Sequence, residues 1–316
     1  MKGGFPSRRK ASTRSGPGQL QGMESWNAPA ALQTLGLACK VRSLQAGGLE
    51  LLQFGKSAVY RLPEGLVARV SRPGNALETI EAGIRLATWL HGRGFPLAPP
   101  ADISPVQAGE AIVSFWDWRG PSRAVSAEEM AQLLRDFHRE TDHYEGVLPG
   151  LDPAAEIATR LWALDRDELL DGNDAETLWA WQRHLELRLA SVSSTLGRGP
   201  IHGDAQQTNA WAAADGPLLF DFDQVARGPR EWDLVAEAVA PRRFARNRSF
   251  YEGLLSHYGF PVTTWPGFTD AALAHELLLT LARVRLDAHI HGPQTEAERR
   301  MAYWRGDPRP PVWRGF

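Results

Sequence analysis

The stretch that most constrains this chain runs from Ile201 to Asp223, where polar residues recur at fixed spacing. Ile201–Asn209 reads IHGDAQQTN, and Leu218–Asp223 reads LLFDFD. Asp204 and Asn209 lie five positions apart, and Asp221 follows Asp204 by seventeen, at the end of an apolar run. Asp and Asn favour loops, so each could simply form a turn. A carboxylate closing a buried strand, however, is costly without a partner. Asp204 is suited to take a proton from an attacking hydroxyl. Asn209 and Asp221 offer the hard oxygen ligands that magnesium takes. Phosphoryl transfer needs positioning, charge neutralisation and one acceptor for the nucleophile's proton.

Around this stretch the chain changes texture once. Residues 28–38 read as a helix. Three short β-like runs follow, Leu49–Phe54, Ala58–Leu62 and Leu66–Ser71, separated by Gly and Pro as in an antiparallel meander. Residues 76–92 have helical periodicity, and Ala111–Trp116 is another strand candidate. After about residue 118 the pattern turns helical. Ser126 with Glu129 three residues on forms a capping box opening a helix to about Arg139. Residues 153–165 and 174–196 are further helices, Leu218–Phe222 is a short strand, and most of the chain after Glu231 reads helical. The expectation is an α+β chain. A basic, disordered tail covers 1–22, or an extension ahead of a start at Met23. A sheet-plus-helix lobe covers 23–117 and a helical lobe 118–316, with a small β insertion carrying the acids.

The segment resembles the catalytic loop of the aminoglycoside phosphotransferase and choline kinase group, relatives of protein kinases with a two-lobed fold. The group's HGD-x4-N loop and the acidic strand after it match His202–Asn209 and Phe220–Asp223. The resemblance implies Asp204 as catalytic base, with His202 orienting the loop. It implies Asn209 and Asp221 as magnesium ligands, and Asp223 as a second ligand or a supporting carboxylate. Gly228-Pro229-Arg230-Glu231-Trp232-Asp233-Leu234 also looks like a family stretch, in which Asp233 braces the loop from a helix N-terminus.

The nucleotide side is looser. Gly55-Lys56-Ser57 looks like the hairpin loop that covers phosphates, where small residues let backbone N–H groups approach an anion. A plain hairpin turn is the other reading. Arg69 stands where the wider kinase group places a lysine on the phosphates. It can hold a phosphate with two N–H groups, in a geometry lysine lacks. Glu81 and Glu78 are candidates for its partner acid, although alignment on Trp89-Leu90 puts Gly83 in that position. Ser114-Phe115-Trp116-Asp117-Trp118 looks like the hinge that hydrogen-bonds a purine through its backbone.

On the acceptor side, acids would suit a cationic substrate such as an aminoglycoside or choline. Glu237, Glu276 and Asp287 are the available helical acids. Trp162, Trp179, Trp181 and Trp211 would shape an apolar pocket or pack helices. Net charge is -2, which argues against nucleic acid or an anionic membrane as partner. Cys39 is the sole cysteine, so no intrachain disulfide forms, and a cytoplasmic monomer or homodimer is expected. Lysine stops at Lys56, which counts against reading Asp221-Phe222-Asp223 as a phosphohydrolase nucleophile that needs a later lysine. The expected activity is transfer of the γ-phosphate of magnesium-bound ATP or GTP to a small-molecule hydroxyl. A kinase-like nucleotide-sensing module without strong catalysis is the alternative.

Overall fold

The computed structural model describes residues 26–55, 57–72, 76–120, 123–245, 248–288, 295–307 and 312–314. The readings of the 1–22 tail and of Lys56 fall outside these residues.

In chain order the elements are α1 (Ala28–Arg42), β1 (Glu50–Phe54), β2 (Ser57–Leu62), β3 (Leu66–Ser71), α2 (Leu77–His91), β4 (Val106–Ala108), β5 (Ala111–Asp117) and β6 (Arg123–Ala124). Next come α3 (Ala127–Glu140), α4 (Pro153–Arg166), α5 (Gly172–Leu189), β7 (Arg198–Ile201), β8 (Ala210–Ala213), β9 (Gly216–Leu219) and β10 (Ala226–Pro229). The chain then runs through α6 (Trp232–Arg243), α7 (Arg248–Tyr258), α8 (Phe268–Leu286) and α9 (Glu296–Trp304).

The N-terminal strands form an antiparallel sheet in the order β1-β2-β3-β5-β4. Period-two alternation sorts its faces. Ala58, Tyr60 and Leu62 of β2, with Ala68 and Val70 of β3, are buried in one core with Ala31, Leu35 and Cys39 of α1. Val59, Arg69 and Ser114, level with one another across β2, β3 and β5, therefore share the opposite face.

The larger core gathers α2 through α8. Leu86 and Leu90 of α2 lie in it with Leu134 and Phe137 of α3, Ile157 and Leu161 of α4, and Leu277 and Leu281 of α8. The capping box at Ser126 and Glu129 opens α3. Two elements are shorter than their sequence suggests. α5 stops at Leu189, because the following loop turns to Glu231, whose carboxylate accepts from Ser194 Oγ and the amides of Thr195 and Leu196. β9 stops at Leu219, because Asp221 takes a left-handed backbone (φ 69, ψ 62) that breaks the strand and starts a 3-10 turn over Phe222–Gln224. Among the described residues, no helix is long and apolar enough to cross a membrane.

Candidate active site

Two glycines hold the Phe222–Gln224 turn between the lobes. A Cβ on Gly83 of α2 would stand 2.2 Å from the Phe222 carbonyl oxygen. Gly203, at φ +83, would place a Cβ 2.0 Å from the Gln224 carbonyl oxygen. No other residue fits either contact without backbone movement. The acids of the turn are thus pressed against the His202–Asp204 segment on one side and α2 on the other.

Asp233, almost fully buried at the start of α6, fixes that segment. Its Oδ2 accepts from the His202 amide and its Oδ1 from the Gly203 amide, each at 2.8 Å. His138 Nε2 donates to the same Oδ2 at 2.9 Å. On the other side of the ring, His138 Nδ1 lies 2.8 Å from the Tyr258 hydroxyl. Burial first, then the Asp233 charge, raise the Tyr258 pKa, which keeps it a donor. His202 is fully buried and donates Nε2–H to the Phe220 carbonyl at 3.0 Å. Its ring therefore ties β7 to the end of β9.

Gln206 Nε2 donates to Oδ1 of Asp204 at 3.0 Å, and Gln224 Nε2 to Oδ2 at 3.1 Å. Two neutral amides thus orient this carboxylate. Asn209 Nδ2 donates to the Asp204 carbonyl at 2.8 Å, which fixes the amide and leaves Oδ1 as its remaining acceptor.

Arg69 reaches the turn from the sheet. Its NH1 lies 2.8 Å from Asp221 Oδ2, and its Nε 2.5 Å from Asp223 Oδ2, although that N–H is not aimed along the pair. Burial disfavours the Arg69 charge, but Asp221 and Asp223 outweigh it and raise the pKa. Burial raises the Asp223 pKa, and neighbouring Asp221 adds to this against the pull of Arg69. Asp221 Oδ1 is buried without a hydrogen-bond partner. That orphaned oxygen, the Asp223 carboxylate and the Asn209 amide make a hard-oxygen set that fits a divalent cation. Among the described residues, no group of three or more His, Cys, Asp or Glu could hold a metal by itself.

The partner acid of Arg69 is a correction. Glu81 pairs instead with Arg85 on the α2 surface at 3.8 Å. Gly83 lets α2 sit directly on the turn, so Arg69 takes its counter-charges from Asp221 and Asp223. Ser114 lies level with Arg69 on β5, and its Oγ accepts from Trp116 Nε1 at 3.0 Å. Trp116 stacks near Phe222, ring centroids 6.4 Å apart. The hinge reading needs revision at two amides. Asp117 N donates to the Pro99 carbonyl and Trp118 N to the Gly65 carbonyl, so neither is left for a purine. Gly55 N donates to the Ser57 carbonyl, and Trp26 Nε1 to the Gly55 carbonyl, which anchors the hairpin loop.

The acceptor-side acids are also corrected. Glu237 is buried and accepts the Gln207 amide at 2.7 Å, so it supports the loop between Asp204 and Asn209. Glu276 is fully buried between Arg242 and Arg243, at 2.5 and 2.8 Å. Asp287 pairs with Arg283 and accepts the Ala297 amide. All three face internal partners. Trp162 and Trp179 pack edge to face at 5.2 Å, as do Trp181 and Trp304 at 5.5 Å, which fits helix packing.

The model of a phosphotransferase enzyme family matches residues 50–270, well over half of the chain. The chain belongs to that family. The fold of this phosphotransferase is similar to solved kinases. An amicoumacin kinase, solved with AMP-PNP, Ca2+ and Ami, has a TM-score of 0.64 at 14% identity, over 88% of this chain and 93% of that one. Choline kinase LicA from Streptococcus pneumoniae has 0.59 at 15%, over 86% and 97%. A microcompartment-associated aminopropanol kinase has 0.60 at 17%, over 86% and 94%. These likenesses establish the two-lobed protein-kinase-like fold. No curated protein matches the phosphotransferase by sequence.

Sequence reasoning missed Gln206, Gln224, His138 and Tyr258. Gln206 and Gln224 sit inside or beside the motifs, and their amide chemistry was a usable signal. His138 and Tyr258 lie 95 and 25 residues from Asp233, and only the packing of α3 against α7 brings them to it.

Proposed function

We propose that this phosphotransferase moves the γ-phosphoryl group of ATP or GTP onto a hydroxyl of a small molecule, with Asp204 accepting the hydroxyl proton. The observation that carries this reading is the Asp204 carboxylate, oriented by Gln206 and Gln224 beside the turn that bears Asp221 and Asp223. A carboxylate so held meets the geometric need of a general base before any question of acidity arises.

Asn209, Asp221 and Asp223 would hold Mg2+, which when bound neutralises charge on the transferring phosphates. Arg69 is the chain's own cation at the same place, with a planar fork suited to phosphate oxygens. Gly55, whose own amide is taken by the Ser57 carbonyl, would let the phosphates come close to the hairpin at Ser57, and Ser114 and Trp116 would line the nucleotide side of the sheet. Asp233 and His202 hold the loop. Glu237 and Glu276 are released from any role with the acceptor, so a cationic acceptor loses those supports.

The test is transfer from radiolabelled ATP and GTP, with Mg2+, to a panel of aminoglycosides, choline, amino alcohols, sugars, hydroxy acids and sugar phosphates. The native protein is expected to label at least one class, and Asp204→Ala none. Labelling by Asp204→Ala at the native rate would refute the base assignment. Nucleotide binding without transfer to any class would favour the sensing module.

A further inference from the structure

Arg69 rests on the two acids that would hold the metal. Its NH1 lies 2.8 Å from Asp221 Oδ2 and its Nε 2.5 Å from Asp223 Oδ2, and all three side chains are largely buried. Among the described residues, these are the only acids in ion-pair contact with it. Glu81 is engaged with Arg85, and α2 presents Gly83 to the turn. Arg69 therefore has no second acid to move to.

The acids are held in place. They sit on a turn whose Phe222 and Gln224 carbonyls lie against Gly83 and Gly203. The long side chain of Arg69, reaching across from β3, is the part that can move. Without a new anion, that move leaves a cation and two carboxylates unpaired in a largely buried site, which is costly. Phosphate oxygens can receive the guanidinium through two N–H groups, as carboxylates do.

The same contact bears on a divalent cation. Asp221 Oδ1 is buried without a hydrogen-bond partner, while Oδ2 of the same carboxylate holds Arg69. A cation at Oδ1 would share one carboxylate with the guanidinium. Like charges that close, in a site shielded from water, repel strongly.

We propose that Arg69 bars a free divalent cation from Asp221 and Asp223, and that the phosphates of a nucleotide admit it by drawing the guanidinium off these carboxylates. Arg69 is thus a positioning residue that couples metal to phosphate. Such coupling is reciprocal, so each ligand strengthens the other. The phosphate half rests on the kinase reading above; the exclusion of a free cation does not.

Two titrations of the full chain test this: Mn2+ alone, followed by the paramagnetic resonance of the free ion, and AMP-PNP in EDTA, followed by calorimetry. Removing the guanidinium should move the two affinities in opposite directions. In Arg69→Gln, the Kd for Mn2+ alone is expected at least about tenfold tighter than native, and that for metal-free AMP-PNP at least about tenfold weaker. A merely structural Arg69 would weaken both. Adding Asp221→Asn to Arg69→Gln should remove the gain in Mn2+ affinity. Arg69→Lys keeps the charge, so its Kd for Mn2+ alone should stay within about threefold of native. If Arg69→Gln does not fold, nitrogen NMR of the arginine side chains in the native protein takes its place, with the Arg69 signal assigned by its loss in Arg69→Lys. That signal should shift with AMP-PNP and stay in place with Mg2+ alone. Native protein that binds Mn2+ as tightly as Arg69→Gln does, or an Arg69 signal that Mg2+ alone shifts as far as AMP-PNP does, overturns the proposal. Failure of the native protein to bind AMP-PNP counts against the kinase reading, and tighter Mn2+ binding by Arg69→Gln then still supports the exclusion.

Discussion

Gly83 of α2 meets the Phe222 carbonyl so closely that an added Cβ would stand 2.2 Å from that oxygen. Where the sequence suggests an acid facing Arg69, the helix offers a bare backbone. Arg69 consequently turns to Asp221 and Asp223 on the same turn. Gly83→Ala would improve helix propensity by up to ~1 kcal/mol. The clash is with backbone, which cannot rotate away, and overpacking of this kind costs about 1–3 kcal/mol. The variant is expected to melt lower and to lose transfer activity. A higher melting temperature with full activity would show that α2 withdraws freely.

This contact marks where the sequence stops being readable. Asp204, Asn209 and Asp221 were recognisable because their chemistry and spacing are local. Four strands of the sheet are legible from short apolar runs broken by Gly and Pro, whereas β4, only three residues long, is not. Gly83 stands out in the sequence as an irregularity in a pattern, but its reason depends on how α2 docks, which no local rule supplies. Glu237 and Glu276 misled for a related reason. An acid on a helix reads as exposed until the fold shows Gln207 or Arg243 across from it.

Asp233 is expected to behave as a structural acid. Asp233→Ala leaves the buried amides of His202 and Gly203, and Nε2 of His138, without their acceptor. Unsatisfied buried donors cost ~1–3 kcal/mol each, so urea denaturation should show a loss of about 3 kcal/mol or more. A loss below about 1 kcal/mol would mean that water replaces the carboxylate.

Glu276 separates stability from substrate binding. Glu276→Gln strips Arg243 of its buried counter-ion, and breaking such a pair costs about 3–5 kcal/mol. The melting temperature should fall, while KM for whichever acceptor is found should stay at the native value in the folded protein. A raised KM with unchanged stability would return Glu276 to the acceptor site.

Acid stability should carry a small signature of Glu129. A side-chain bond from Arg123, then the Ser126 amide, hold its carboxyl at about 2, below the ordinary 4.5. A depressed carboxylate pKa stabilises the fold above 4.5, and that contribution fades as pH falls from 4.5 towards 2. The pair is largely exposed, so the contribution is kept to roughly 0.5–1 kcal/mol. Denaturation of native protein and Glu129→Gln across pH 2–6 should differ most at the upper end and converge at the lower. Parallel curves would contradict the assignment.

Single-turnover transfer by Asp204→Asn tests Asp204 as the proton acceptor most directly. The amide keeps the side chain's shape next to Gln206 and Gln224 but gives up the carboxylate's basicity. The rate of phosphate transfer should fall roughly 10²–10⁴-fold, the usual contribution of a general base, while AMP-PNP affinity with Mg2+ stays near native. Transfer at the native rate with nucleotide binding intact would contradict it.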